Sequence, residues 1–399
     1  MHPASAQPSP MQQPRMALIA LLAAVVAVTP LAIDMYLPAM PQITEQLATT
    51  PGLVQQSLSI FLAFYALGML LFGPLADMIG RRTLALSGLI GFAVISLLLS
   101  MAPTIEWFLA GRAAQAFTGS AATVVIPGLI RALYQEHTAK GMSYVSMMMM
   151  LAPLLAPAIG SVLLLWSPWP LIFIVLSSYA LLIGGLCWRF LPEVHTPRPD
   201  GVAAPAFFSA YRLVLSTKVA QPLIAISMFA SFSFFCFLTA VPFVYIEYFG
   251  VDAQLFSALF GFNVVALIVA NFSNSQLVSR FGSERLLTWA FISGGIFASL
   301  LIAVTALDGS LWLTALAIAP LMASLSICAT NADALILIRF PHHSGTATAV
   351  IGTLRFGAGA LAGPLLALGG HDSIVPFALL MFSGIFAIGL CQGWRKLAA

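Results

Sequence analysis

All but two of the positive charges of this 399-residue chain fall in the connections that flank its long apolar segments, and only in alternate connections; the exceptions are Arg112 and Arg355. The basic connections contain Arg15, Arg81 and Arg82, Arg131 and Lys140, the stretch from Arg189 to Lys218, Arg280 and Arg285, Arg339, and Arg395 and Lys396. The charges of the other connections are acidic: Glu45, Glu106, Glu247, Asp252, Asp308 and Asp372. Because loops rich in Lys and Arg stay on the cytoplasmic side of a membrane, this alternation predicts two cytoplasmic termini and an even number of spans.

Composition indicates a membrane protein. Hydrophobic residues make up 60% of the sequence and charged residues 7%, whereas a soluble domain has about 25% charged residues. One helical span needs about 20 apolar residues, and we predict an all-α polytopic membrane protein with about twelve transmembrane helices. The predicted spans are 16–40, 54–76, 83–102, 105–129, 142–166, 170–191, 221–245, 254–278, 285–306, 311–338, 345–369 and 374–394.

The remaining composition excludes several kinds of site. The net charge of +3 is explained by basic residues that anchor the spans, so we predict no nucleic-acid partner. All four cysteines fall inside predicted spans without a C-x-x-C pattern or a nearby histidine. We expect them to be buried thiols, and we predict no metal and no cofactor.

The longest connection divides the spans into six and six. We predict a disordered cytoplasmic tail over 1–15, a six-helix bundle over 16–191, a cytoplasmic linker over 192–220, a second bundle over 221–394 and a tail over 395–399. The halves share sequence features: aligning Gly80 with Gly282 also aligns Leu75 with Leu277, with Ser279 in place of Asp77, and Pro157 has a counterpart in Pro364. Duplicated halves are typical of transporters, with the substrate site expected between them near the midplane.

The connection after span 2 contains a ten-residue motif, GPLADMIGRR, at 73–82. Glycines allow close helix approach and a tight turn, while a carboxylate there can cap a helix or pair with an arginine of the other bundle. The pattern resembles the cytoplasmic-loop motif of the major facilitator superfamily. The resemblance implies a gating role for Gly73, Asp77, Gly80, Arg81 and Arg82.

Span 4 places Arg112 within the membrane, followed by Gln115 in a pattern that resembles the R-x-x-Q motif of the same superfamily. An unpaired arginine in hydrocarbon costs a few kcal/mol, so we expect it to face a partner inside the bundle. Asp34 of span 1 is the candidate, since both residues are expected in the outer third of the membrane. The pair is either structural or, as we expect for Asp34 and Arg112, part of proton coupling.

The sequence around Asp34 resembles one particular branch of this superfamily. Segment 32–39, AIDMYLPA, resembles the signature of the bicyclomycin and chloramphenicol resistance branch of twelve-span drug:proton antiporters, and segment 152–160, APLLAPAIG, resembles the antiporter motif of that branch. This implies gating roles for Pro153, Pro157 and Gly160. It also implies a protein of the bacterial inner membrane, functional as a monomer, that exports amphiphilic drugs in exchange for protons.

Further residues are candidates for the substrate cavity. Asn331 and Asp333 of span 10 and Arg355 of span 11 are unexpected inside a membrane, and an Asp333–Arg355 contact between neighbouring helices is feasible. That contact is either structural or part of substrate binding or gating. Flexible methionines, flat aromatic rings and amides suit varied amphiphilic ligands, although packing is the default role for such residues. The candidates of this kind are Tyr36, Tyr65, Gln115, Met149, Phe232, Phe235 and Asn263.

The energy source is constrained by what the sequence lacks. None of the three lysines follows a glycine, so the G-K-[ST] end of a phosphate-binding loop is absent, and any pumping must use an ion gradient or another subunit. A proton-coupled carrier of an ordinary metabolite, such as a purine, nucleoside or amino acid derivative, remains the alternative, because relatives on one scaffold differ by their pocket residues. A membrane-embedded enzyme is disfavoured, since few polar groups are available to form a catalytic cluster.

Overall fold

The computed structural model describes residues 16–134, 138–193, 211–340, 344–369 and 373–398, and this part of the chain contains helices and no strand. The helices group into twelve spans. Spans 1 to 6 are Met16–Asp34 with Leu37–Ala39 and Met40–Gln46; Pro51–Ile79; Arg81–Leu99; Ile105–Val124 with Ile126–Tyr134; Thr138–Leu164; and Pro170–Phe190. Spans 7 to 12 are Gln221–Pro242 with Phe243–Tyr248; Ala253–Phe281; Ser283–Ala306; Leu311–Arg339; Ser344–Gly359 with Ala362–Ala367; and Val375–Ala398.

Eleven of these spans are helices long and apolar enough to cross a membrane, and span 5 adds the shorter apolar segment Met149–Leu164. The chain is therefore a multi-pass membrane protein of the predicted fold class. The cysteines are buried free thiols, as expected. Most predicted bounds agree within a few residues, but span 12 continues as helix through Ala398, into the predicted tail. The tail at 1–15 and positions 194–210 of the linker lie outside the described residues.

Local signals set the starts of several spans at one end of the bundle. Prolines begin spans 2 and 6 at Pro51 and Pro170, where the missing N–H of proline would have no helical partner anyway. Spans 4, 8 and 10 begin with N-caps: the side chains of Thr104, Asp252 and Ser310 accept hydrogen bonds from the backbone N–H three residues later. All five helices start at the end that carries the acidic connections, which we call the acidic end; the opposite end, with the chain termini, is the basic end.

The two halves are pseudo-symmetric six-helix bundles. Span 3 packs on spans 4 and 6 in the first half, and its counterpart, span 9, packs on spans 10 and 12 in the second. The turns that follow spans 2 and 8 also correspond: Gly80 has φ +94° and Gly282 has φ +77°. Only glycine adopts such angles readily. The alignment of these two glycines in the sequence thus corresponds to a shared backbone turn.

The halves meet along two helix pairs that the pseudo-symmetry relates. Span 2 contacts span 11, and span 5 contacts span 8. Towards the acidic end, the backbone N–H of Gly363 donates to Ser59 Oγ at 2.8 Å, and Ser257 Oγ donates to the carbonyl of Pro157 at 3.0 Å. These contacts close the acidic end over a cavity at the centre of the molecule.

Candidate functional site

A cavity of about 410 Å³ lies between the two bundles. Spans 1 and 5 line it from the first half, and spans 7, 8, 10 and 11 from the second. Its wall is mostly apolar, with side chains that include Ile33, Met150, Phe234, Leu238, Phe260 and Leu325. A volume of this size with a few polar groups is typical of a site for a small molecule.

Asp34 is the acidic residue of the cavity lining. The α-helix of span 1 ends at Asp34, and a turn of tighter helix follows at Leu37–Ala39. Pro38 lies within this turn and has no N–H to donate to the carbonyl four residues earlier, that of Asp34. Only 3% of Asp34 is exposed, and among the described residues its Oδ1 has no hydrogen-bond partner. Burial of a charged carboxylate oxygen without a partner is costly.

Arg112 lies fully buried beside this helix end. Its Nη1 donates to the carbonyl of Ala32 at 3.0 Å and to Gln115 Oε1 at 2.6 Å. The guanidinium also stacks between the rings of Tyr36 and Phe61, at 4.3 and 4.4 Å from their centroids. In the described part of the chain, no hydrogen-bond partner lies within reach of its Nε or Nη2.

The expected Asp34–Arg112 ion pair is not formed in this conformation. The ion pairs within 4.0 Å among the described residues do not include one between these two side chains. The carbonyl of Ala32, two residues before Asp34, binds the guanidinium instead.

Tyr36, Gln115 and Tyr65 lie behind the cavity wall, in polar contacts within the first bundle. Tyr36 Oη is 3.0 Å from Ser57 Oγ, and Gln115 donates to Ser96 Oγ at 2.8 Å. Tyr65 Oη accepts from Thr29 at 3.2 Å and lies 2.7 Å from Thr123 Oγ1. These three residues surround Arg112 and Thr29 rather than line the cavity surface.

The expected contact between Asp333 and Arg355 is present, with Arg355 Nη1 3.0 Å from Asp333 Oδ2. Two serines of span 7 extend it: Ser227 Oγ donates to Asp333 Oδ1 at 2.6 Å, and Arg355 Nε donates to Ser231 Oγ at 2.7 Å. Arg355 and Ser231 line the cavity, while Asp333 lies behind them.

The remaining cavity candidates divide into two groups. Met149, Phe235 and Asn263 line the cavity. Phe232 instead lines a separate apolar groove on the outside of spans 2, 7, 11 and 12. Asn331 lies behind the wall, where its side chain donates to Asn274 Oδ1 at 2.7 Å.

Sequence reasoning missed several small polar residues of the lining, namely Thr29, Ser231, Asn271, Ser326 and Thr330. Asn271 donates to Ser326 Oγ at 2.8 Å and accepts from Thr330 at 3.2 Å. Ser326 and Thr330 are four residues apart and so share one face of span 10. That spacing was a usable signal, but Ser and Thr are common at packed helix interfaces in membranes.

The loop motif after span 2 connects helices of the first bundle. Gly73 lies within span 2, and Gly80 makes the turn. Arg81 donates to the carbonyl of Gly128 at 2.8 Å, and Arg82 donates to the carbonyl of Trp188 at 2.6 Å and pairs with Glu193 at 3.4 Å. The Asp77 side chain lies outside the described part of the structure.

The proline motif of span 5 lines the cavity and also takes part in the contacts that close the acidic end. Pro153 lines the cavity, and the carbonyl of Pro157 accepts the hydrogen bond from Ser257 of the other half. Gly160 packs so closely on the end of span 1 that an added Cβ would lie 1.9 Å from the carbonyl oxygen of Met35 and 3.3 Å from Pro38 Cγ. Span 5 therefore packs tightly on the segment that directly follows Asp34.

We expect Gly160→Ala to destabilise the protein by about 2 kcal/mol or more, because the backbone of Met35 must move to admit the methyl group. Gly261→Ala is the matched control, since its Cβ would meet only Leu154 Cδ1 at 3.6 Å. Thermal unfolding of both variants in detergent measures the difference. Equal stability of the two variants would contradict the close packing of span 5 on span 1.

Comparison with known proteins agrees with these features. The sequence model described as Major Facilitator Superfamily matches residues 22–364. A bicyclomycin resistance protein homolog of Haemophilus influenzae is 34% identical over 91% of this chain and 90% of its own length. A chloramphenicol resistance protein of Pseudomonas aeruginosa is 28% identical over 80% of this chain and 76% of its own. A bacterial homolog of the human lysosomal transporter Spinster, solved in an inward-facing conformation, has a TM-score of 0.72 at 16% identity, over 97% of each chain.

Proposed function

The chain is a transporter of the major facilitator superfamily, in the branch of the bicyclomycin and chloramphenicol resistance proteins, and we propose that it exports amphiphilic drugs of those two kinds in exchange for protons. The observation that carries this proposal is Asp34 in the wall of a mostly apolar cavity, a buried carboxylate whose Oδ1 finds no hydrogen-bond partner among the residues that the structure describes. Relatives named for resistance to these drugs support the substrate class.

Coupling would depend on two arrangements of Asp34 and Arg112. In the present arrangement Arg112 binds the carbonyl of Ala32 and Gln115, and Asp34 faces the cavity. In the other arrangement the unused Nε and Nη2 of Arg112 bind the Asp34 carboxylate. A carboxylate holds its proton less tightly when an arginine approaches it. Alternating between the two arrangements therefore loads and unloads one proton in each cycle.

The two bundles would rock about the cavity, as in other transporters built from repeated halves. In the present structure, contacts between the bundles close the acidic end. By the positive-inside rule the basic end is cytoplasmic, so this conformation corresponds to the inward-facing side of the cycle in the bacterial inner membrane. Nothing in this cycle requires more than one copy of the chain.

The membrane potential supplies enough energy for such export. One charge that crosses a potential of about 150 mV releases ~3.5 kcal/mol. This supports a gradient of a neutral solute of roughly three hundredfold.

Gly363 tests the closure at the acidic end. A Cβ at this position would lie 2.5 Å from Ser59 Oγ and 3.2 Å from Ser59 Cβ, so we expect Gly363→Val to separate the bundles there and favour the outward-open state. Gly357→Val is the matched control in the same span, since a Cβ there meets nothing within 4 Å. Spin-label distances between the outer ends of spans 2 and 11 should lengthen in Gly363→Val alone, and unchanged distances would contradict this closure.

Drug accumulation in cells tests the proposed activity. Cells that produce the protein should accumulate less chloramphenicol than cells without it, and a protonophore should abolish the difference. Lowered accumulation that persists with the protonophore would exclude proton-driven export. Saturable transport of one purine, nucleoside or amino acid derivative, with no effect on drugs, would replace drug export by metabolite transport.

A further inference from the structure

Arg355 has more hydrogen-bond donors than the protein uses. A guanidinium carries five N–H donors. Among the described residues, one donates to Ser231 Oγ at 2.7 Å and one to Asp333 Oδ2 at 3.0 Å. The side chain retains 39% exposure and lines the cavity. Three donors of a charged group therefore remain for a ligand or water.

The position of Arg355 is fixed by a closed ring of hydrogen bonds. Arg355 binds Asp333 and Ser231, Ser227 Oγ binds the second carboxylate oxygen of Asp333 at 2.6 Å, and Ser231 Oγ donates to the carbonyl of Ser227 at 2.8 Å. The carboxylate of Asp333 and the hydroxyls of both serines are thus satisfied. A planar guanidinium held at two of its nitrogens presents its free edge in one direction.

All members of this ring belong to the second bundle: Ser227 and Ser231 to span 7, Asp333 to span 10 and Arg355 to span 11. Hydrogen bonds within this one bundle hold the Asp333–Arg355 pair together, so rocking of the bundles does not have to open it. The pair therefore belongs to the cavity wall rather than to a gate. Asp34 and Arg112 also share one bundle, but they are not paired in this structure, so their exchange requires side-chain movement within that bundle.

We propose that Arg355 is a specificity-determining residue of the cavity, which binds an acceptor oxygen of the substrate, such as that of a nitro, carbonyl or sulfonyl group. Asp333 is its positioning residue and does not touch the substrate. The inference rests on the proposed function only in taking an amphiphilic molecule as the ligand. It assigns an orientation: the oxygen-bearing end faces the second bundle, and the other end faces Met149, Pro153 and Asp34 of the first.

The fixed positive charge also selects against cations. A lipophilic cation without acceptor oxygens leaves the donors of Arg355 unpaired and places like charges together. Sites built to hydrogen-bond a group reject ligands that lack it far more strongly than apolar sites reject a change of size. Neutral, oxygen-bearing amphiphiles are therefore the preferred class.

Equilibrium binding to the purified full chain tests the proposal. The ligands are chloramphenicol, which carries nitro and carbonyl oxygens, and tetraphenylphosphonium, a lipophilic cation without acceptors. The variant Arg355→Met with Asp333→Asn removes both charges together, so that no buried charge loses its partner. Arg355→Lys keeps the positive charge but loses the planar guanidinium with its several donors. Arg189→Met is the control, at an arginine near the end of span 6 and outside the cavity.

For the double variant we expect the Kd for chloramphenicol to rise about 10- to 100-fold, the effect of a lost hydrogen bond to a charged group. Its affinity for tetraphenylphosphonium should stay unchanged or increase. Arg355→Lys should weaken chloramphenicol binding less and still disfavour the cation, and Arg189→Met should match the wild type. An unchanged Kd for chloramphenicol, equal losses for both ligands, or a wild type that prefers the cation would each overturn the proposal. No proton gradient is applied in this binding measurement. The Kd values therefore test the role of Arg355 even if the proposed proton coupling through Asp34 is wrong.

Discussion

Asp34→Asn is expected to abolish proton-driven drug export and to leave the protein folded and able to bind the drug. Asparagine has nearly the shape of a protonated aspartate but cannot release a proton, so the carrier would lose the exchange step. Stability should not fall, because the substitution removes a buried carboxylate whose Oδ1 has no partner. Drug accumulation in cells and thermal unfolding of the purified variant measure the two effects.

Asp308→Asn is the matched control for that variant. Asp308 lies at the acidic end, in the turn after span 9, where the hydroxyl of Tyr248 donates to it at 3.4 Å. We expect this control to export like the wild type. Export by Asp34→Asn that is driven by the proton gradient at the wild-type rate would remove Asp34 from the coupling step.

Arg112→Met is expected to abolish export as well, with little change in stability. Methionine fills a similar volume between Tyr36 and Phe61, and it removes a buried guanidinium that has two unsatisfied nitrogens. The gain offsets the loss of the bonds to Ala32 and Gln115, so the free energy of unfolding should change by about 2 kcal/mol or less. Transport is lost because Asp34 has no arginine to displace its proton.

Arg112→Lys tests whether a positive charge is sufficient at this position or whether the planar guanidinium is required. Lysine keeps the positive charge but cannot stack as a plane between two rings while donating to Ala32 and Gln115. We therefore expect export well below the wild type. Wild-type export by Arg112→Lys would show that any positive charge suffices, and wild-type export by Arg112→Met would exclude this residue from coupling.

The two substitutions should not add. If Asp34 and Arg112 act as one unit, the double variant loses no more export than either single variant, as for residues that share one step. Additive partial losses would indicate two independent roles. Residual export is measured as proton-driven drug transport in liposomes, since counterflow needs no net proton movement and would not report lost coupling.

The fold was predictable because its determinants are local. The length of each apolar segment sets each span, while the orientation of the spans in the membrane stays a prediction from the basic residues in alternate connections. The correspondence of Gly80 and Gly282 was visible as a spacing and is present as two turns with positive φ. The Asp333–Arg355 contact was predictable for a similar reason, since two isolated charges on neighbouring helices in a membrane have few alternatives to each other.

The cavity lining was less predictable, because one sequence does not give the rotation of each helix about its axis. Phe232 and Phe235 are three residues apart, yet one faces an outer groove and the other the cavity. Tyr65 and Gln115 lie one layer behind the surface, where they hold other polar groups. These outcomes depend on packing between distant segments, which spacing alone does not determine.

The ion pair between Asp34 and Arg112 was predicted but is not formed, for a different reason. Both residues were identified from the sequence as partners, but the backbone carbonyl of Ala32 binds the guanidinium instead. No side-chain pattern reveals this competitor, since every residue carries a carbonyl. A transporter also has more than one state, and a pair formed in one state is open in another.

Proton movement in liposomes is the most direct test of coupling through Asp34. The purified protein is reconstituted, an inward-acidic pH gradient is imposed, and an internal pH dye is followed when chloramphenicol is added. For the wild type we expect the drug to dissipate the gradient, and for Asp34→Asn we expect no response. Dissipation of equal size in both proteins, or a wild type that responds to a purine nucleoside and not to the drug, would contradict drug:proton exchange through Asp34.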